Sequence, residues 1–325
     1  MNNARQRIAA KDGRYARLWG LPGPSGVAPC VRCPPDCKCK QPPASLVRRW
    51  DEKSLWPGAP GIRFNASLLA HGGGYLLAYR EAWAGSNVWL GRLDADFNPR
   101  GSPWQLDLRH PAAPGSREDP RLFRYRGRVG VAFAGAVATP WHTNMLYALL
   151  GEDLQVAGVY APSYPGRNLW EKNWAMFEAD GDLLAVYHGQ PHRILCISGT
   201  RASLVHSEPG LEAWSGGDVR GGASPVLRGG EYYHWFHDVV NDGSVRTYRM
   251  GLYTFDAQPP YRPRRLVRAP LLCAPPRAKG ARVVYPCGAV PTEDGWVVSL
   301  GVNDEWVELH RWKHDEIEAR LEAVA

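Results

Sequence analysis

A chain of 325 residues, 44% hydrophobic, can bury a large core, and its 35 Gly, 28 Pro, 14 Trp and 14 Tyr favour an all-β protein of many short strands over a helical one. The net charge of +7 is unevenly placed: residues 1 to 50 hold ten Lys or Arg against Asp12 and Asp36, a balance of +8, so the rest of the chain carries −1. A polyanion such as nucleic acid would meet residues 1–50 and not the near-neutral body, while the charged start and the lack of a long apolar run argue against a secretory signal or a transmembrane helix and for a cytoplasmic protein with no membrane partner.

Residues 1–59 read as a basic arm, turn-rich around Gly20-Leu21-Pro22-Gly23. Within it stand Cys30, Cys33, Cys37 and Cys39, four thiols in ten residues. Tetrahedral zinc takes four soft ligands, and Cys30-x-x-Cys33 has a chelating spacing. Cys37-x-Cys39 is tighter than most zinc ribbons use, so a structural zinc and a reduced thiol tract both remain open. The odd total of seven cysteines argues against a disulfide framework, and Cys196, Cys273 and Cys287 read as ordinary buried thiols.

From residue 60 a hairpin recurs. Each unit has an apolar strand entered by a polar or small residue, a Gly turn, a strongly apolar second strand and an alternating third. The first unit runs through Phe64-Asn65-Ala66-Ser67, the second through Arg117-Glu118-Asp119-Pro120-Arg121, the third through Asn173-Trp174-Ala175, the fourth through Ala223-Ser224-Pro225 and the fifth through Pro286-Cys287-Gly288. Anchored on residues 65, 119, 174, 224 and 287 the steps are 54, 55, 50 and 63 residues, which suits one propeller blade per unit. The expectation is an all-β, five-bladed β-propeller over residues 60–325, each blade close to four-stranded, with a short C-terminal helix within residues 313–325.

In such a ring the innermost strands converge on one axis, so the residues that open them share a pocket. Asn65, Asp119, Lys172 with Asn173, Ser224 and Gly288 open those strands. Arg80, His188, His237 with Asp238, and Asn303 with Asp304 follow the second strands.

The motifs Arg117-Glu118-Asp119-Pro120-Arg121, Glu171-Lys172-Asn173-Trp174, Gly221-Gly222-Ala223-Ser224-Pro225 and Gly301-Val302-Asn303-Asp304 resemble the five-bladed mannoside phosphorylases of glycoside hydrolase family 130 and the related β-mannosyltransferases of glycosyltransferase family 108. The resemblance spans about residues 60–312 and excludes the cysteine-bearing arm. It implies that Asp119 is the general acid of an inverting glycosyl transfer, and that basic residues bind phosphate or the diphosphate of a nucleotide sugar. The family's pair of phosphate-binding arginines has no matching surroundings here, although Arg167 lies in the right interval.

Phosphate needs no general base, whereas inverting hydrolysis needs a second carboxylate. One acid with several cations, namely Arg80, Arg121, Lys172, His188 and His192, points toward phosphate-containing chemistry with no cofactor. The residues expected to bind substrate are Asn65, Arg80, Arg121, Lys172, Asn173, His188, His192, His237, Asp238 and Asp304. Each has a structural alternative: Asp119 as partner of Arg121, Lys172 as a strand-edge lysine, His188 and His192 as satisfied core histidines, and His237-Asp238 as a polar strand end. Glu118 reads as a salt-bridge partner and not as a second acid. Glycoside hydrolysis, transfer to a nucleic acid held by the arm, and carbohydrate binding without catalysis are the competing functions.

Overall fold

The computed structural model describes residues 45–324 apart from residues 52–53, 57–61, 83–85, 139–140, 213, 215, 242–244 and 276–279. The four arm cysteines, and most of the basic arm expected to hold a metal or a polyanion, lie outside these residues. Among the described residues no helix is long and apolar enough to cross a membrane.

The described chain is nearly all antiparallel sheet, and its fold is propeller-like. The first sheet contains Ile62–His71, Gly74–Ala82, Asn87–Leu93 and Pro99–Gln105, and the second Arg117–Tyr125, Arg128–Ala138, Trp141–Leu150 and Val156–Tyr160. Ala175–Ala179, Asp182–Gly189, His192–Ser198 and Arg201–Glu208 build the third. Each pairs its strands in chain order, as tight hairpins dictate.

The fourth sheet departs from the expected pattern with seven strands. Its central hairpin, Glu231–Asn241 with Arg246–Asp256, is joined by Asp218–Arg220, Val226–Arg228, Pro263–Val267, Leu272–Cys273 and the C-terminal Leu321–Ala323. So the regular four-stranded sheets number four. The last of them pairs Val284–Pro291, Gly295–Val302 and Trp306–Lys313 with Leu46–Trp50 from the start of the described chain. The folded body therefore begins by residue 46 and not at 60. The helix is shorter than expected, His314–Glu318, and its chain continues directly into the added strand of the fourth sheet.

The sheets follow one another around a ring: Ile62–His71 touches both Arg117–Tyr125 and Val284–Pro291, Arg117–Tyr125 touches Ala175–Ala179, Asp182–Gly189 meets Asp218–Arg220, and Glu231–Asn241 returns to Val284–Pro291. Hydrophobic cores fill the seams between sheets. Leu76, Val88 and Phe133 pack the first seam, Phe123, Tyr147, Trp174 and Leu195 the next, and Trp235, Phe255, Trp296 and Trp312 the side holding the fourth and fifth sheets. Trp174, Trp235 and Trp296 are fully buried, so these rings serve packing and not a sugar platform. Serine hydroxyls stitch neighbouring sheets together: Leu122 N–H donates to Ser67 Oγ at 2.9 Å, and Leu68 N–H to Ser299 Oγ at 3.0 Å. Of the three described cysteines, Cys287 is buried as expected, Cys196 is half-buried and Cys273 is exposed at the end of a strand.

A polar clamp lies where the strand Leu46–Trp50 completes the last sheet. His310, fully buried, meets Ser45 Oγ through Nδ1 at 2.9 Å and Glu308 Oε2 through Nε2 at 2.7 Å. Arg49 donates to the same carboxylate at 2.7 Å. Glu308→Ala leaves His310 and Arg49 without their acceptor, so denaturant unfolding should show a loss of about 2 kcal/mol; an unchanged midpoint would show that the strand Leu46–Trp50 is held by its backbone ladder alone.

Candidate active site

The inner strands are irregular where the polar residues stand. In the first sheet Phe64 faces Arg80 and Ser67 faces Ala78, so Asn65 and Ala66 together oppose one residue. In the second, Glu118 faces Ala134 and Arg121 faces Ala132, with Asp119 and Pro120 in the same bulge. Asn65, Asp119 and Asn173 have φ of 51°, 56° and 68°, a left-handed conformation that Asn and Asp tolerate better than other residues with a side chain. Pro120 fits there because a bulge breaks the ladder and needs no N–H from it.

The bulges bring side chains from separate sheets together. Asn65 Nδ2 donates to Asp119 Oδ1 at 2.8 Å, and Arg80 Nη1 lies 3.5 Å from the same oxygen. The described bonds to this carboxylate fall on Oδ1 and not on Oδ2. Gly301 lies directly under Asn65, where a Cβ would collide with the Asn65 amide oxygen.

Glu118 takes the cations on the other side. Its Oε2 accepts from Lys172 Nζ at 2.7 Å, and its Oε1 accepts from Ser116 Oγ at 3.0 Å and stands 3.2 Å from Arg80 Nη2. Burial alone would raise the Glu118 carboxyl, but Lys172 and Arg80 outweigh it and hold the group well below the usual carboxylate range. Burial opposes the charge on Lys172 as well, and Glu118 and Asp119 reverse this and raise its pKa. Arg80 is fixed further by Ser86 Oγ at 3.2 Å and feels Asp304, which is exposed with φ of 54° beside Asn303.

Arg121 plays a different part from the one expected. It is fully buried, and its guanidinium donates to the Gly222 carbonyl at 2.5 Å, Asn173 Oδ1 at 2.9 Å, the Asp119 carbonyl at 3.4 Å and the Tyr285 hydroxyl. Tyr285 also donates to Asn173 Oδ1 at 3.0 Å. This arginine ties four sheets together beneath the acid and offers no free face to a ligand.

The histidines separate. His237 is buried with its ring 4.8 Å from that of Tyr285, at the edge of the cluster, and burial holds it neutral by pushing its pKa well below the ordinary value. His192 lies in the hydrophobic core: Nε2 meets the Tyr261 carbonyl at 3.0 Å, Nδ1 meets the Tyr253 hydroxyl at 3.2 Å, and burial lowers its pKa to about 3. It is a satisfied core histidine and not a ligand. His188 accepts the Gln190 N–H at 3.1 Å, and its described contacts do not reach the cluster. Asp238 is consumed as an anchor, accepting from Trp214 Nε1 at 2.9 Å, Gly217 N–H at 2.7 Å and Arg249 Nε at 3.0 Å.

Sequence reasoning missed Tyr285, Ser116, Ser86 and the buried Glu171. Glu171 accepts from Trp174 Nε1 at 2.6 Å, Asn168 N–H at 2.5 Å and the Tyr187 hydroxyl at 3.0 Å, fixing the backbone directly before Lys172. The Glu-Lys-Asn-Trp run held the signal, since an acid three residues before a Trp can reach its indole N–H.

The fold is similar to that of β-1,2-mannobiose phosphorylase from Listeria innocua, with a TM-score of 0.61 and 16% identity over 84% of this chain and 98% of that one. A glycosyl hydrolase from Bacteroides ovatus gives a TM-score of 0.56 at 13% identity over 81% of this chain and 87% of that one. MPT-4, a mannose phosphorylase from Leishmania mexicana solved with a phosphate ion, gives 0.50 at 16% identity over 81% and 87%. At these identities the likeness is one of fold. No protein-family model and no curated protein matches the sequence.

The depressed Glu118 pKa carries a sign. A carboxyl whose folded pKa lies below its ordinary value of 4.5 contributes stability that is complete above that pH and is lost as pH falls through the folded value. Unfolding curves from about pH 7 to about pH 3 should therefore steepen in acid for the wild-type protein more than for Glu118→Gln. Parallel curves would mean that the ion pairs contribute nothing to the folded state.

Proposed function

We propose that this protein is a glycoside-active enzyme of the mannoside type that transfers a glycosyl group with inversion: where phosphate attacks a glycoside Asp119 protonates the departing glycosidic oxygen, and where a phosphate-bearing group leaves as an anion the Asp119 carboxylate takes the proton of the acceptor hydroxyl that replaces it. One observation carries the reading: Asp119 is held in a left-handed bulge by Asn65, with Arg80 beside it and Lys172 close by on the shared partner Glu118. A carboxyl held on one oxygen keeps the other for the proton it delivers. Lys172, with 34% of its side chain exposed, is the cation of the cluster most open to an incoming oxyanion. The fold likeness to two phosphorylases supports the same chemistry. Free phosphate and the diphosphate of a nucleotide sugar share the recognition chemistry, and the assay separates them.

Hydrolysis is the second reading, favoured by the charge balance. Three carboxylates, Glu118, Asp119 and Asp304, accompany three cations, Arg80, Lys172 and Arg121. Two acids about 6.5 to 9.5 Å apart would suffice to protonate a leaving group and activate water, with Asp304 as the base on the exposed side.

The protein should be incubated with β-linked mannosides in the presence and absence of phosphate, and with a panel of nucleotide-sugar donors. Phosphorolysis releases α-mannose 1-phosphate, since the anomeric centre inverts, whereas water alone releases free mannose. Asp119→Asn should reduce turnover by about 10²- to 10⁴-fold without unfolding the chain. Lys172→Met should weaken use of the phosphate-bearing partner more than that of the sugar. Full activity in Asp119→Asn would remove the proposed mechanism.

A further inference from the structure

We infer that Glu118 is a built-in competitor for the anion this site takes: its carboxylate fills the position between Lys172 and Arg80 that a phosphate-type oxyanion would occupy, and thereby sets the affinity of the site for such anions. The inference deepens the reading above and rests on a phosphate-bearing partner being used there. An ammonium at 2.7 Å, a guanidinium at 3.2 Å and a hydroxyl at 3.0 Å converge on this one carboxylate. The same three donor types recognise phosphate oxygens.

The partners of Glu118 differ in freedom. Arg80 is pinned by Ser86 at 3.2 Å and by Asp119 at 3.5 Å, and 18% of its side chain is exposed. Lys172 has 34% of its side chain exposed, and among the described residues its ion-pair partner is Glu118. Its four-carbon stem lets the ammonium turn from one anion to another while Glu118 stays against Arg80 and Ser116. An arriving oxyanion therefore gains Lys172 only as Glu118 loses it. With Glu118 charged, the cluster has as many carboxylates as cations and no surplus positive charge; neutralising Glu118 leaves one cation in excess. Charge loss at this position should thus tighten anion binding, where loss of a purely structural residue would weaken it.

The test is calorimetric titration of the full-length protein with inorganic phosphate, comparing wild type, Glu118→Gln, Glu118→Asp and Lys172→Met, with each fold checked by thermal melting. Glu118→Gln should bind phosphate at least about tenfold more tightly than wild type. Glu118→Asp, which keeps the charge but draws it back from Lys172, should fall between the two and decides the matter should the Gln variant not fold. Lys172→Met should bind phosphate more weakly than wild type. Equal or weaker binding in the Glu118 variants, or no binding in any protein, overturns the inference. Tighter binding by Glu118→Gln in a protein that uses neither phosphate nor a nucleotide sugar as a substrate would sustain the competition and remove the proposed transfer reaction. Phosphorolysis with unaltered phosphate affinity in the variants would do the reverse.

Discussion

The left-handed bulge at the start of the inner strands is the constraint on which the rest of the cluster depends. In a regular strand successive side chains alternate between the two faces of the sheet, and in a ring of sheets both faces are packed against neighbours. A residue that must leave the seam needs a break in the pleat. Asn65 and Asp119 supply it with φ of 51° and 56°, and Asn173, just ahead of its strand Ala175–Ala179, takes the same conformation at 68°, at a cost of about 1 kcal/mol or more for each residue that is not glycine. Backbone and chemistry therefore select the same residue types. Asn and Asp accept the conformation, and their short polar side chains then meet across sheets, as the 2.8 Å contact between Asn65 and Asp119 shows.

Charge is managed by pairing. Burying an isolated ion costs several kcal/mol, and the cluster meets this by giving each buried group a partner from another part of the ring. Arg121 is the extreme case. Burial lowers its pKa, and its donors are turned to carbonyls, an amide oxygen and a hydroxyl, with Asp119 offering its backbone as well as its charge. That arrangement makes Arg121 a hub for the sheets and leaves Lys172 as the more accessible cation. The division of labour within Asp-Pro-Arg is thus acid above and anchor below.

Much of this was legible in the sequence. The hairpin repeat gave the first three sheets and their strand order because each turn joins strands adjacent in the chain, and it gave the central hairpins of the other two. Asp119 stood out because Glu-Asp-Pro-Arg stands directly before an apolar run, and Glu118 read correctly as an ion-pair partner. The closing strand Leu46–Trp50 was not visible, since its partner Trp306–Lys313 lies at the far end of the chain and the pairing leaves only a five-residue pattern. The extra strands of the fourth sheet were hidden for the same reason, being short and drawn from both flanks of the hairpin and from the C-terminus. His192 and Asp238 were placed at the site on position alone. Their true partners, Tyr253 and Tyr261 for the one and Trp214, Gly217 and Arg249 for the other, are brought near by packing that no local motif announces.

Anchors and functional groups are neighbours in sequence throughout. Glu118 precedes Asp119, Arg121 follows two residues later, and Glu171, bonded to Trp174, Tyr187 and Asn168, precedes Lys172. A substitution that removes an anchor must therefore displace the adjacent functional side chain, because bulge and anchor share the same few backbone torsions. Stability and chemistry at these positions can be separated only by changes that keep shape and alter charge, such as carboxylate to amide. A truncation to alanine would disturb both together, since it opens a cavity and orphans a buried donor in the same step.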